Sequence, residues 1–99
     1  MFIKFYEYKI KKQDFQKWKK INVEAQKIYK KHGLKSHQVF TKKEKNLIKI
    51  VEIDYYNSKK DFFKVSKNVN KEKQIKELFN RFLKLVHNKK IKGLDFNKL

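Results

Sequence analysis

Apolar positions along the chain change their spacing several times, and each change marks a predicted element. From Phe2 to Ile10 the residues are aromatic and β-branched, which predicts a strand. Phe2, Lys4, Tyr6, Tyr8 and Ile10 share one face, and Ile3, Phe5, Glu7 and Lys9 share the other. Large apolar groups on both faces are the mark of a central strand covered on both sides. From about Gln13 to His32 the period becomes helical. Phe15, Trp18, Ile21, Asn22, Ala25, Ile28, Tyr29 and His32 form one stripe, with Lys17, Lys19, Lys20, Lys27, Lys30 and Lys31 opposite. Asp14 suits the first turn and Gly33 the left-handed position past the last.

Leu34 to Thr41 and Leu47 to Tyr56 read as two strands joined through Lys42-Lys43-Glu44-Lys45-Asn46, a connection that fits a hairpin. The second again has two apolar faces, with Leu47, Val51, Ile53 and Tyr55 against Ile48 and Ile50. Ser58 followed by Asp61 resembles a capping box opening a short helix that buries Phe62 or Phe63. Asn68-Val69-Asn70 interrupts it. A second piece runs from about Lys71 to Asn88, with Ile75, Leu78, Phe79, Phe82, Leu83 and Val86 on its stripe. Ile91 to Leu99 reads as a short edge strand weakened by Gly93.

The order is β-α-β-β-α-β across one domain, residues 1–99. With right-handed crossovers it predicts an α+β, ferredoxin-like sandwich: four antiparallel strands, both helices on one face, strands one and three central. The helices cover one face only, yet the central strands carry apolar groups on both. The second face therefore predicts a covering partner. A homodimer burying about 800 Å² per subunit is the expected assembly.

Composition changes this picture in two ways. A chain of 99 residues buries roughly 60–68% of its unfolded surface, enough for one modest core. Zero Cys excludes disulfides, thiolate metal sites and cysteine nucleophiles, and two Gly exclude a Gly-rich phosphate loop. No apolar run exceeds Met1-Phe2-Ile3, so neither a signal-peptide core nor a membrane span is expected, and a cytoplasmic protein is. The formal charge of +18 comes from 28 basic residues against 10 acidic ones. Arg81 is the single arginine, and codon bias toward Lys, Asn, Ile, Phe and Tyr accounts for part of the excess.

The charge raises an alternative function, a polyanion- or nucleic-acid-binding module. The same strand order serves RNA-recognition domains, and Tyr6, Tyr8 and Tyr55 are residues on which bases stack. The third strand, Leu47-Ile48-Lys49-Ile50-Val51-Glu52-Ile53, lacks the glycine and aromatics of that signature and holds an inward acid. Lysine also reads bases less well than arginine. Nucleic acid therefore ranks below a small-molecule ligand. His32 suits a helix C-terminus, His37 lies on the second strand and can face the sheet's second side, and His87 lies off the last apolar stripe; no metal site is expected. Glu52 and Asp54 share one strand face; desolvated, they are general bases, and in so lysine-rich a chain ion pairing is the commoner fate.

The run Tyr6-Glu7-Tyr8-Lys9-Ile10, the helix with Phe15 and Trp18, and Lys31-His32-Gly33 before a strand resemble the dimeric α/β-barrel superfamily, within it the NIPSNAP-like and antibiotic-biosynthesis-monooxygenase-like domains. The Val51 to Val86 stretch adds to it: a strand, the Ser58-Lys59-Lys60-Asp61-Phe62-Phe63 helix start, an Asn break, then the second apolar stripe. The resemblance covers nearly the whole chain and rests on burial patterns, not catalytic signatures. It implies dimers paired through open sheet faces, with a pocket between sheet and helices in each subunit. Some members are cofactor-free monooxygenases of polycyclic aromatics that surround substrate with Asn, Trp and Tyr, types that Trp18, Asn22, Tyr6 and Tyr8 offer without a position-by-position match. Haem-degrading members place an Asn on the first strand and a Trp and a His on the second helix. This chain has no Asn on that strand and no Trp in its second helical segment, so haem degradation is disfavoured.

The expectation is a small homodimer that binds or oxidises a small apolar or aromatic molecule without a cofactor, in a pocket lined by Tyr6, Tyr8, Trp18, Asn22, His37 and Tyr55. For Trp18 a plain core role is the commoner outcome. Asn22 on the apolar stripe needs a partner.

Overall fold

The computed structural model describes residues Met1–Leu99. Strands β1 (Phe2–Lys11), β2 (Ser36–Glu44), β3 (Leu47–Tyr56) and β4 (Lys92–Asn97) form one sheet in the order β2-β3-β1-β4. Every neighbouring pair is antiparallel. Helices α1 (Phe15–Lys31), α2 (Lys59–Val69) and α3 (Lys73–Leu85) lie against one face, giving the expected α+β, ferredoxin-like sandwich.

Local sequence accounts for the element ends. A 3₁₀ turn over Lys12–Asp14 leads into α1, whose Trp18, Ile21 and Ile28 are buried. Gly33 ends the helix at φ 115°, and a Cβ there would sit 3.3 Å from Val65 Cγ2, so both backbone and packing call for glycine. Ser58 caps α2, its Oγ accepting from the Asp61 N–H at 3.1 Å. Phe62 packs into the core and Phe63 stays exposed.

Three boundaries differ from the sequence expectation. β2 starts at Ser36 and runs on through Lys42, Lys43 and Glu44, which pair with β3, so the hairpin turn is only Lys45-Asn46. Val69 is wholly buried, so α2 runs through it and the break falls at Asn70 to Glu72. The last helix stops at Leu85 because Val86 turns extended and forms a bridge with Ile10 on the part of β1 that β4 does not reach. A 3₁₀ turn, His87–Lys89, then carries the chain to β4.

Register sorts the sheet's residues into rows. On the helix-covered face the rows are Tyr56–Phe2, His37–Asp54–Lys4–Asp95, Val39–Glu52–Tyr6–Gly93, Thr41–Ile50–Tyr8 and Ile48–Ile10. The interior is correspondingly divided. One apolar cluster gathers Phe2, Tyr56, Val65, Val69 and Leu78 at one end; a second gathers Tyr8, Ile10, Trp18, Ile48 and Ile50 at the other. Phe82 and Leu85 of α3 touch both. The open face carries Ile3, Phe5, Phe40, Val51, Ile53, Tyr55, Leu94 and Phe96, with Lys9, Lys11, Lys42 and Lys49 toward one end.

Candidate functional site

Between the two apolar clusters the middle rows of β1 and β3 put polar groups under the helices. A cavity of about 330 Å³ opens there. Ile21, Ala25, Ile75, Leu78, Phe79 and Phe82 form its apolar walls, and Tyr6, Tyr8, Glu52 and Asp54 form its floor. Trp18, Asn22, Gln26 and Tyr29 reach it from α1, each about one turn beyond the last. Phe79 and Ile91, both exposed, stand at its rim.

A chain of hydrogen bonds ties the floor together. The Trp18 Nε1–H donates to the Tyr8 hydroxyl at 2.6 Å, and that hydroxyl donates to Glu52 Oε2 at 2.6 Å. The other Glu52 oxygen lies 3.5 Å from His37 Nε2. His37 Nδ1 lies 2.5 Å from Asp54 Oδ1; a carboxylate only accepts, so Nδ1 carries the proton. The Asn22 amide approaches His37 Nε2 at 3.4 Å. That contact supplies the partner which Asn22's place on an apolar stripe demands.

Burial sets the electrostatics. The His37, Glu52 and Asp54 side chains are 8%, 13% and 10% exposed, in surroundings that penalise charge. Burial pushes the Glu52 carboxyl above its ordinary 4.5; the Tyr8 hydrogen bond and the nearby His37 oppose this without cancelling it. Burial, reinforced by neighbouring carboxylates, likewise raises the Tyr6 and Tyr8 phenols above their ordinary 10.0. Tyr8 thus remains a hydrogen-bond donor in neutral solution. The Gln26 Oε1 atom is buried without a hydrogen-bond partner.

Of the residues singled out in the sequence, Tyr6, Tyr8, Trp18 and Asn22 line the cavity. His37 faces the helices and not the sheet's second side, and stands behind the floor, bonded to Asp54 and Asn22. Tyr55 is turned away: it pairs with Ile3 and Ser36 on the open face. The parity of β3 requires this, because Tyr56 is buried under the helices. Tyr6 and Tyr8 are correspondingly absent from the open face, where an RNA-recognition sheet would stack bases. Glu52 and Asp54, weighed in the sequence as general bases or cross-strand ion-pairing acids, form the floor and both lie against His37 of the neighbouring strand. Their shared parity with Ile48 and Ile50 was the available signal. Glu7, across from Val51 on the open face, pairs with Lys49 at 3.5 Å. No group of three or more His, Asp or Glu is placed to hold a metal ion, and no helix is long and apolar enough to cross a membrane.

No protein-family model matches the chain, and no curated protein matches it in sequence. Solved structures do. A NIPSNAP family protein from Agrobacterium tumefaciens superposes with a TM-score of 0.79 at 16% identity, over 100% of this chain and 94% of that one. An antibiotic biosynthesis monooxygenase superposes with a TM-score of 0.75 at 9% identity, over 100% of this chain and 99% of its own. SnoaB, a cofactor-independent oxygenase from Streptomyces nogalater, gives 0.73 at 9%, over 99% and 93%. At such identities the likeness is one of fold. The chain has the ferredoxin-like fold of NIPSNAP and antibiotic-biosynthesis-monooxygenase-like proteins, with a carboxylate-floored cavity between its sheet and helices.

Proposed function

We propose that this protein binds a small, flat, apolar molecule bearing an acidic hydroxyl or C–H group in the cavity, and oxidises it with dioxygen as a cofactor-free monooxygenase. The observation that carries the reading is Glu52, a buried carboxylate on the floor of an apolar-walled cavity, held by Tyr8 and close to His37. Small-molecule sites combine apolar walls with a few converging polar groups. A carboxylate whose proton affinity burial has raised is a competent general base near neutral pH. The unpartnered Gln26 oxygen offers a donor on the ligand a second acceptor. Fold neighbours named as a cofactor-independent oxygenase and an antibiotic biosynthesis monooxygenase support the reaction class.

In the proposed reaction Glu52 accepts the substrate's acidic proton. The resulting carbanion passes an electron to dioxygen, and the radical pair combines to form a C–O bond. The peroxide takes back the proton held by Glu52, and the hydroperoxide then loses water together with the second hydrogen of that carbon, leaving a carbonyl, so one oxygen atom enters the product and the other leaves in water. Trp18 and Tyr8 hold Glu52 through the relay on the floor; Asn22 and Asp54 orient His37 beside it.

The test is direct because Trp18 is the single tryptophan. A tricyclic ketone with an acidic methylene, such as anthrone, is expected to quench its emission saturably and to drive uptake of one dioxygen per molecule converted. Glu52→Gln is expected to keep the quenching and lose the uptake. Uptake that is unchanged in Glu52→Gln, or an emission that no such ligand alters, overturns the reading.

The protein acts as a homodimer through the open sheet face in this proposal. Ile3, Phe5, Phe40, Val51, Ile53 and Phe96 form a contiguous apolar surface there, and Phe40 and Phe96 are 56% and 50% exposed in the single chain. Sedimentation equilibrium at moderate salt is expected to return a dimer, and a monomer at tens of micromolar removes the assembly. With +18 on each chain, the dimer is expected to loosen at low ionic strength.

A further inference from the structure

Beside the cavity lies a second depression of different character. Its lining includes Lys9, His87, Asn88, Lys89, Lys90 and Lys92, where the chain passes from α3 to β4. Tyr8 and Ile91 belong to both linings, so the rim of the apolar cavity and this basic groove adjoin. One acid, Glu7, also lines it and is engaged with Lys49 at 3.5 Å, and the nearby Glu44 is engaged with Lys9 at 3.0 Å. Lys90 and Lys92 pair with no carboxylate.

The backbone that presents these lysines is strained. Asn88 and Lys89 are consecutive non-glycine residues in the left-handed region, at φ 56° and 55°. Lys89 locks the turn by donating its ammonium to the Leu83 carbonyl at 2.6 Å, across the end of α3. A strained turn of this kind persists only where its surroundings hold it, and such turns gather at ligand clamps. Here it sets Lys90 and Lys92 beyond Ile91 at the sheet edge, where Lys92 lies opposite Glu7 on the open-face side and Ile91 separates the groove from the cavity.

We infer that the ligand is an amphipathic anion, whose apolar body and hydroxyl occupy the carboxylate-floored cavity and whose carboxylate or sulfonate lies in the Lys90–Lys92 groove beyond Ile91. The inference rests on the proposed cavity and adds the ligand's charge and its direction. The floor is acidic and takes a hydrogen-bond donor; the adjoining groove is basic and takes an acceptor. A neutral ligand leaves the groove unused, and an anion turned the other way meets Glu52 and Asp54.

Calorimetric titration with a hydroxynaphthoic acid and with its methyl ester tests the assignment on the whole chain. The acid is expected to bind about 3- to 10-fold more tightly at low salt, the scale of one or two partly exposed ion pairs, with the advantage shrinking near about 0.5 M salt. Lys90→Ala with Lys92→Ala is expected to remove that advantage and leave the ester's affinity in place. Lys19→Ala with Lys20→Ala, which removes equal charge from the exposed side of α1, is expected to preserve it. Equal affinity for acid and ester, or an advantage that survives the Lys90 and Lys92 changes, overturns the anion groove while leaving the cavity standing. Binding of neither ligand overturns the cavity itself and the groove with it.

Discussion

The end rows and the middle rows of the helix-covered sheet face are built from different chemistry. At the ends, Phe2 lies opposite Tyr56 and Ile10 opposite Ile48, and each pair is sealed into an apolar cluster. In the middle, the Asp54 row crosses all four strands as His37, Asp54, Lys4 and Asp95, polar groups of which the first three are shielded beneath the helices and Asp95, on the edge strand, is exposed. Lys4 pairs with Asp95, and its ammonium also sits 5.0 Å from the Phe62 ring centre. Stability calls for no such row, since buried charges cost several kcal/mol of desolvation each and replacing them with apolar residues is often neutral or better. The ends hold the fold, and the middle holds the polar groups on which the proposed chemistry rests.

The largest expected effect breaks an end. Phe2 is 2% exposed and packs on Phe62 at 5.3 Å between ring centres, so Phe2→Ala is expected to cost about 3–5 kcal/mol in urea unfolding. Ligand affinity should be unchanged wherever the variant is folded. The open face is next. Ile53→Lys, set between Phe5 and Gln38, is expected to weaken dimerisation about 100-fold by sedimentation while thermal unfolding of the chain remains cooperative. Within the middle, Trp18→Phe keeps the ring's apolar bulk and loses the N–H donated to Tyr8. It is expected to cost about 1 kcal/mol by chemical denaturation.

The smallest effect is a slope. The Glu52 carboxyl holds its proton more tightly in the folded than in the unfolded chain, because burial raises it above 4.5. Its contribution to stability is therefore complete below that value and is lost as pH rises through the raised folded value. Melting temperature measured against pH should fall over this window in the native chain. Glu52→Gln, which cannot ionise, should remove that part of the fall, and parallel curves would deny Glu52 its buried state.

Much of this was legible in the sequence, for reasons particular residues make plain. Alternation in β1 and β3 announced two apolar faces, and Ser58 announced a helix start that its hydroxyl does cap. The α1 stripe placed Trp18 and Asn22 one turn apart, and both reach the cavity. Alternation fixes which residues share a face, not which face meets the helices. His37 could be placed only once its row with Asp54 was known. Tyr55 was grouped with Tyr6 and Tyr8 by residue type, although its parity with Val51 and Ile53 separates them. Glu52 and Asp54 read as acids destined for ion pairs in so lysine-rich a chain, and their burial depends on helices packed from elsewhere in the chain. The basic groove was hidden for a different reason: it depends on two left-handed residues, Asn88 and Lys89, at the point where helical periodicity placed only the end of the last helix.

The central claim is that the acid-floored cavity is where a ligand sits, and one resonance reads it. As the single tryptophan, Trp18 gives one indole N–H cross-peak in a nitrogen–proton correlation spectrum, and that N–H bonds Tyr8 on the cavity floor. Titration with a hydroxynaphthoic acid is predicted to move this peak saturably, together with the side-chain amides of Asn22 and Gln26. A peak that stays fixed while the ligand shifts resonances only from the open face or the lysine-rich surface would contradict the account.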